Sequence, residues 1–253
     1  MGSPGRRVVS KLLRVLRSRL DAHLVIVNGE NAAGGLGLTR PTLRNLLDSG
    51  ADVITLGNHT FAKHDMYECL DDETRLIRPA NYPPGVPGRG WGVFKASTGD
   101  RVAVANLLGR AFMNPVDCPF RAADAVFAEA NGDPRALIVD MHAEATSEKK
   151  AMGWHLDGRA SAVLGTHTHV QTSDEVILPR GTAYISDVGM TGVHDSVLGM
   201  DKDAVITRFT TQIMGKFVLA EGPGMLQGAV VDIDPGTGRA TAIERVSVGE
   251  GEL

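Results

Sequence analysis

The chain has 253 residues, 43% hydrophobic and 22% charged, with a formal net charge of -4. That balance excludes a disordered chain and gives no electrostatic reason to expect nucleic acid or an acidic membrane as a partner. No apolar stretch approaches the roughly 18 residues of a membrane span. Cys69 and Cys118 belong to no CxxC pattern, which favours a reducing compartment, the cytoplasm, over a disulfide framework.

Residues 1–20 carry six basic residues and no acid, superficially like a transit peptide. Val9, Leu12, Leu13, Leu16 and Leu20, however, follow one helical face, so a core helix is predicted, with Ser3 and Pro4 at its N-cap and first turn. A buried strand follows over 23–28, then a glycine-rich loop, a helix from Thr39-Arg40-Pro41 to Ser49, and a strand over 52–56. A short helix is predicted over 63–70, a strand over 75–78 and a proline/glycine loop over 81–92. Strands over 102–107 and 136–140 flank a helix over 120–130, and a helix over 146–155 precedes a strand over 161–164. Further strands are predicted over 176–177, 183–186, 217–219, 226–233 and 241–248, with a helix over 202–209. Strand and helix alternate in the first two thirds, which predicts one α/β layered domain over 1–253.

Several strands end in polar residues of one chemical kind. Glu30 and Asn31 follow the first strand, Asn58 and His59 the second; His142, and then His167 and His169, follow two later ones. Ligands of α/β sheets bind beyond the carboxyl ends of strands, so these residues are candidates for one site. A lone His after a strand is more often a structural hydrogen-bonding residue, and Glu30-Asn31 beside glycines is compatible with turn chemistry. His-Thr-His is harder to explain that way. Alternate residues of an extended segment share a side, which would present two imidazoles together, an arrangement suited to a divalent metal. A His, carboxylate and amide set without thiolate favours Fe, Mn, Zn or Co. Two such ions would clamp a phosphoryl group, and His59 is the candidate acid for the leaving oxygen. His23, His64, His155 and His194 are read as structural or surface residues.

The strings Gly57-Asn58-His59 and Gly165-Thr166-His167-Thr168-His169, with His142 between, resemble the calcineurin-like metallophosphoesterase superfamily. Asn28-Gly29-Glu30-Asn31-Ala32 and His142-Ala143-Glu144-Ala145-Thr146-Ser147-Glu148-Lys149 resemble its bacterial YmdB-type branch, over nearly the whole chain. That resemblance implies a four-layer α/β/β/α sandwich and hydrolysis of 2′,3′-cyclic nucleotides to 3′-nucleotides. It also implies two divalent metals, Fe or Mn with Zn not separated from them. Glu30 would bridge the metals with Asn31 beside it; Asn58, His142 and His167 would bind the second metal and His169 the first. His59 would protonate the leaving group or steady the phosphate. The resemblance also places a strand ending in Gly-Asp-Val ahead of Gly2-Ser3-Pro4-Gly5, its Asp a ligand of the first metal. A strand of about nine residues before Gly2 is therefore expected, and Asp21, Asp52 and Asp140 are not expected to fill that place. One rival reading is a regulatory or scaffold protein that keeps the fold without catalysis. Another is a metal-dependent hydrolase of a non-phosphate ester or amide. Homo-oligomerisation, base preference and physiological substrate are left open.

Overall fold

The computed structural model describes residues 1–130, 134–216 and 218–252. Helix α1, Gly2–Arg19, buries Val8, Val9, Leu12 and Leu16, so the predicted amphipathic face is a core face as far as Leu16, while Leu20, expected on it, lies past the helix end and is exposed. Its start differs from expectation: Met1, not Ser3, is the N-cap, and no side chain caps it. Pro4 is tolerated because a first-turn N–H has no helical partner to lose.

Strand β1, Ile26–Asn28, pairs in parallel with β2, Val53–Thr55. Helix α2, Arg40–Asp48, connects them, started by a reciprocal capping box between Thr39 and Thr42. Helix α3, Met66–Asp72, follows β2. The strand predicted over 75–78 is reduced to one bridge, Ile54 to Leu76. Extension stops there because Arg78 turns away: its N–H donates to Arg89, and its guanidinium donates to the carbonyls of Pro79, Pro87 and Gly88.

The largest sheet has six strands in the order β3-β4-β5-β6-β8-β7. They are β3 Trp91–Lys95, β4 Arg101–Leu108, β5 Ala136–His142, β6 Ala162–Thr166, β7 Val176–Ile177 and β8 Ala183–Ile185. The central β4, β5, β6 and β8 are parallel, and β3 and β7 are antiparallel edges. Sequence reading missed β3, an edge strand only partly buried. Helices α4, Pro119–Ala130, and α5, Thr146–His155, lie on the crossovers. A third sheet has the order β11-β10-β9, from β9 Gly192–Val193, β10 Gly224–Ile233 and β11 Ala240–Gly249. Helix α6, Lys202–Thr211, precedes β10 and has no buried residue. Of the strand predicted over 217–219, Phe217 lies outside the described residues, and Leu219 makes a single bridge to Met200.

Side-chain alternation decides what each strand serves. Ala103, Ala105, Leu107, Leu137, Val139 and Met141 pack with α4 and α5 residues on one face of the large sheet. Val102, Val104 and Ile138 point the other way, against Val53 and Ile26 of β1 and β2. The same parity puts Asp140 and His142 on that inner face.

Two sheets were expected and three are found among the described residues, because β1 and β10 do not meet there. Strand β1 pairs only with β2, and β10 reaches β9 only through Gly224 and Met225. Between them lies a cleft of about 870 Å³ lined in its middle by Ile26, Val27, Ile138, Leu164, Val230 and Val231. One end opens at the polar residues beyond the strand ends.

Candidate metal centre

His142 is the hub of the site. It closes β5, is 1% exposed, and its Nε2 lies 3.1 Å from Glu30 Oε1, 3.1 Å from Asn58 Oδ1 and 3.0 Å from His167 Nδ1. Donor atoms of Glu30, His142 and His167 all fall within 4.8 Å of one another. Such a crowd of lone pairs around one point is costly without a shared proton or cation. Gly57, at the exit of β2, makes the approach possible, since a Cβ there would collide with Glu30 Oε2 and His142 Nε2.

The opposite edge of the imidazole sets its tautomer. Thr166 Oγ1 donates to Asp140 Oδ1 at 2.6 Å and lies 2.9 Å from His142 Nδ1. A hydroxyl spent on the carboxylate can only accept from the ring, so Nδ1 carries a proton and Nε2 is the nitrogen turned to the cluster. Asp140 itself is buried and also accepts from Thr55 Oγ1 at 2.6 Å and Asn28 Nδ2 at 3.0 Å. Burial drives the Asp140 carboxyl above its ordinary value despite these donors.

Glu30 is 1% exposed. Burial would raise its pKa, but His142 and His59 outweigh that and hold it at about 2. Burial likewise works against a proton on His142, and the Glu30 carboxylate wins, so that pKa rises. His167 goes the other way. Burial first, then the neighbouring His142 charge, lower it to about 4, leaving a neutral imidazole near pH 7. Its Nε2 lies 3.0 Å from Glu144 Oε2, which fixes Nδ1 as the nitrogen turned to the cluster.

The remaining expected residues join through Asn31. Its Nδ2 donates to Glu30 Oε1 at 3.2 Å and lies 3.1 Å from His169 Nε2. Its Oδ1 sits 2.9 Å from His59 Nδ1, and the His59 N–H donates to Glu30 Oε2 at 3.2 Å. All seven sequence-predicted residues are therefore in one hydrogen-bonded network. Burial lowers the His169 pKa, so that ring too is biased toward its neutral form.

One expectation needs correction. His167 and His169 do not share a side through strand alternation. Strand β6 ends at Thr166, and His167 and His169 have φ of 101° and 66°. Their rings consequently reach different partners, His142 and Asn31. Non-glycine residues in that region cost of order 1–3 kcal/mol each, so something must hold them. Thr168 between them donates its N–H and Oγ1 to Asp187 Oδ2, at 2.9 and 2.7 Å. Asp187 in turn is paired with Lys149 Nζ at 2.9 Å, and the two side chains are 1% and 0% exposed. Sequence reading assigned no role to Lys149, Glu144, Asp140, Thr166 or Asp187. Lys149 and Glu144 lie inside the quoted string that starts at His142, and Thr166 inside the one that starts at Gly165, which was the available signal; for Asp140 and Asp187 there was none.

Residues 1–246 match the family described as YmdB-like protein. The chain belongs to the YmdB-like family. Within it, the chain is 51% identical to the 2′,3′-cyclic-nucleotide 2′-phosphodiesterase of Bacillus subtilis (strain 168), over 100% of this chain and 96% of that protein. A crystal structure of a hypothetical protein from Thermus thermophilus superposes with a TM-score of 0.92 at 42% identity, covering 98% of this chain and 96% of that one. A novel phosphatase from Mycoplasma pneumoniae gives 0.91 at 32% identity, covering 98% and 90%. This YmdB-like chain thus has the mixed α/β fold of phosphatase relatives, with its polar network at the strand ends.

Proposed function

We propose that the protein is a metal-dependent phosphoric diester hydrolase that opens 2′,3′-cyclic nucleotides at the 2′ ester and leaves 3′-nucleotides. The observation that carries this reading is the convergence of Glu30 Oε1, Asn58 Oδ1 and His167 Nδ1 on His142 Nε2, each within 3.1 Å. The 51% identity to a phosphodiesterase of that specificity supports it. A donor set of carboxylate, amide and imidazole with no thiolate suits divalent Fe or Mn, and Zn as well. Asn58, His142 and His167 would hold one ion and His169 another, with Glu30 common to both and Asn31 beside them. Bound there, the ions would neutralise charge on the phosphoryl oxygens and lower the pKa of an attacking water.

The chain's own groups do the rest. Glu30, ionised from a pKa of about 2, offers a fixed negative charge at the floor of the site. His59 donates its Nδ1–H to Asn31 Oδ1, which leaves Nε2 as the acid position: the imidazolium would pass its Nε2 proton to the departing 2′ oxygen and keep Nδ1–H as the neutral ring. The scaffold alternative is not favoured, since all seven expected residues stay linked. Two unbridged thiols, Cys69 and Cys118, agree with the cytoplasm. No helix among the described residues is long and apolar enough to cross a membrane.

The same reading takes the chain as one domain with a four-layer α/β/β/α sandwich, in which β1–β2 and β9–β11 together form the layer that faces the six-stranded sheet. Support comes from Ile26 and Val53 packing with Val104 and Ile138, and from Val231 and Ile243 packing with Ala162 and Ala183, on that sheet.

Turnover of 2′,3′-cyclic AMP with added Mn²⁺ or Fe²⁺ tests the activity, with the product identified by phosphorus NMR. A 3′-nucleotide is expected; a 2′-nucleotide, or no turnover with two ions bound, would refute it.

A further inference from the structure

Two buried polar side chains, Thr60 and Asn106, take no part in the chemistry above, yet both bind the backbone that carries Asn58 and His59. A hydroxyl or an amide so placed is costly unless it satisfies a partner, so the partners show what each side chain serves. The segment leaves β2 at Thr55 and closes as a turn, with the Thr60 N–H donating to Gly57 O at 3.2 Å. Asn58 and His59 are the two corner residues of that turn.

The entrance to the turn is fixed on both sides of Leu56. Its N–H donates to Asn106 Oδ1 at 3.3 Å, and Asn106 Nδ2 donates to Asp140 O at 3.3 Å, which ties the turn to the strand that ends in His142. The Leu56 carbonyl accepts from Asn28 Nδ2 at 3.2 Å. Neither bond reaches the next peptide unit, which begins at Gly57, the residue with the freest backbone. This is also where the chain passes against Glu30 and His142. The Gly57 oxygen accepts a second, shorter bond from Thr60 Oγ1, at 2.6 Å, and the Tyr82 hydroxyl lies 3.5 Å away. The following peptide is held at its N–H, which His59 donates to Glu30 Oε2 at 3.2 Å. Peptide units are planar, so pinning one on each side of the Asn58 Cα fixes the direction in which that side chain leaves the turn.

We propose that Thr60 is a positioning residue: its hydroxyl holds the Gly57 carbonyl and thereby keeps Asn58 Oδ1 beside His142 Nε2 and His59 aimed at the leaving oxygen. This rests on the reading of Asn58 as a metal donor and His59 as the acid. The bond serves aim more than stability. Gly57 O keeps the Thr60 N–H when the hydroxyl is gone, so no buried acceptor is orphaned and the fold survives its loss.

The experiment uses the full chain with Mn²⁺ and compares Thr60→Ala with Thr60→Ser; both delete the methyl group, so they differ by the hydroxyl alone. Mn²⁺ affinity is measured by calorimetry, and KM and kcat at saturating Mn²⁺ for 2′,3′-cyclic AMP and for a p-nitrophenyl phosphodiester. Thr60→Ala should bind Mn²⁺ roughly 10-fold more weakly, as when a ligand loses what orients it. At saturating Mn²⁺ it should lower kcat on the cyclic nucleotide roughly 10–100-fold with much less change in KM, by the usual cost of a misplaced group. The loss should be smaller on the p-nitrophenyl ester, whose leaving group needs no proton from His59. In a His59→Ala background the further loss on cyclic AMP should shrink, because groups that act through one another are not additive. Thr60→Ser should recover most of both affinity and kcat. Equal behaviour of the alanine and serine variants overturns the proposal. So does unchanged Mn²⁺ affinity together with an equal loss on both esters, or with full additivity in the His59→Ala background. A Thr60→Ala chain that fails to fold by circular dichroism assigns the hydroxyl to the fold and overturns it as well. If the unaltered protein hydrolyses neither ester, the catalytic reading fails separately. The Mn²⁺ affinities of the two variants then still decide whether the hydroxyl positions Asn58.

Discussion

Thr166→Val is a sharp test of how the centre is tuned, because valine matches the shape of threonine and removes only the hydroxyl. That hydroxyl links Asp140 Oδ1, at 2.6 Å, to His142 Nδ1, at 2.9 Å. Without it, Asp140 keeps the donors on Oδ2, from Thr55 and Asn28, and loses the one on Oδ1. His142 is 1% exposed, so water cannot replace the lost acceptor for its Nδ1–H. A hydrogen bond to a charged acceptor contributes ~1.5–3 kcal/mol and an orphaned buried donor costs ~1–3 kcal/mol, so the metal-free protein should lose roughly 3–5 kcal/mol. The ring would also lose what fixes its tautomer, which for partners of a ligating His lowers metal affinity about 10–100-fold. Urea unfolding in excess chelator measures the first effect, and competition with a chromophoric chelator the second. Thr166→Ser, which keeps the hydroxyl, should recover most of both. Stability within about 1 kcal/mol of the unaltered protein would refute the hydrogen-bond reasoning, given what an orphaned donor costs. Lost stability with unchanged metal affinity would refute the orienting role alone.

His169→Ala should lower metal content toward one ion per chain, with the group around His142 still loaded; full content by elemental analysis would remove His169 from the donor set. His59→Ala should spare metal content and lower kcat by roughly 10²–10⁴, the usual worth of a general acid. That loss should shrink on a p-nitrophenyl ester, whose leaving group needs no proton, and an equal loss on both esters would make His59 a phosphate binder. Lys149→Met leaves Asp187 buried at 1% exposure without its cation, and breaking such a pair costs ~3–5 kcal/mol, read as a lower midpoint in denaturant. A midpoint unchanged by that substitution would show that Asp187 does not need Lys149.

The parallel strands and the helices between them were legible because apolar runs and periodicity are local properties. Helix α5 and strand β7 have the predicted bounds, and Thr39 caps α2 as expected. The candidate site was legible for a related reason: Glu30, Asn58, His142 and His167 each lie at or just beyond the end of a strand, and parallel strands of one topology deliver their ends to one edge. Edge strand β3, little buried, carried no such pattern, and the strand expected over 75–78 was overridden by the buried Arg78 guanidinium. What the sequence by itself determined about this protein is the donor chemistry and the order of its elements. The tertiary structure alone decided which nitrogen of each imidazole faces the cluster, because that depends on Thr166, Asp140 and Glu144. It also decided how His167 and His169 diverge, held by Thr168 on the Lys149–Asp187 pair. These partners lie up to 38 positions apart in sequence, as for Lys149 and Asp187, and a hydrogen bond across such a gap exists only once packing has brought both groups out of water.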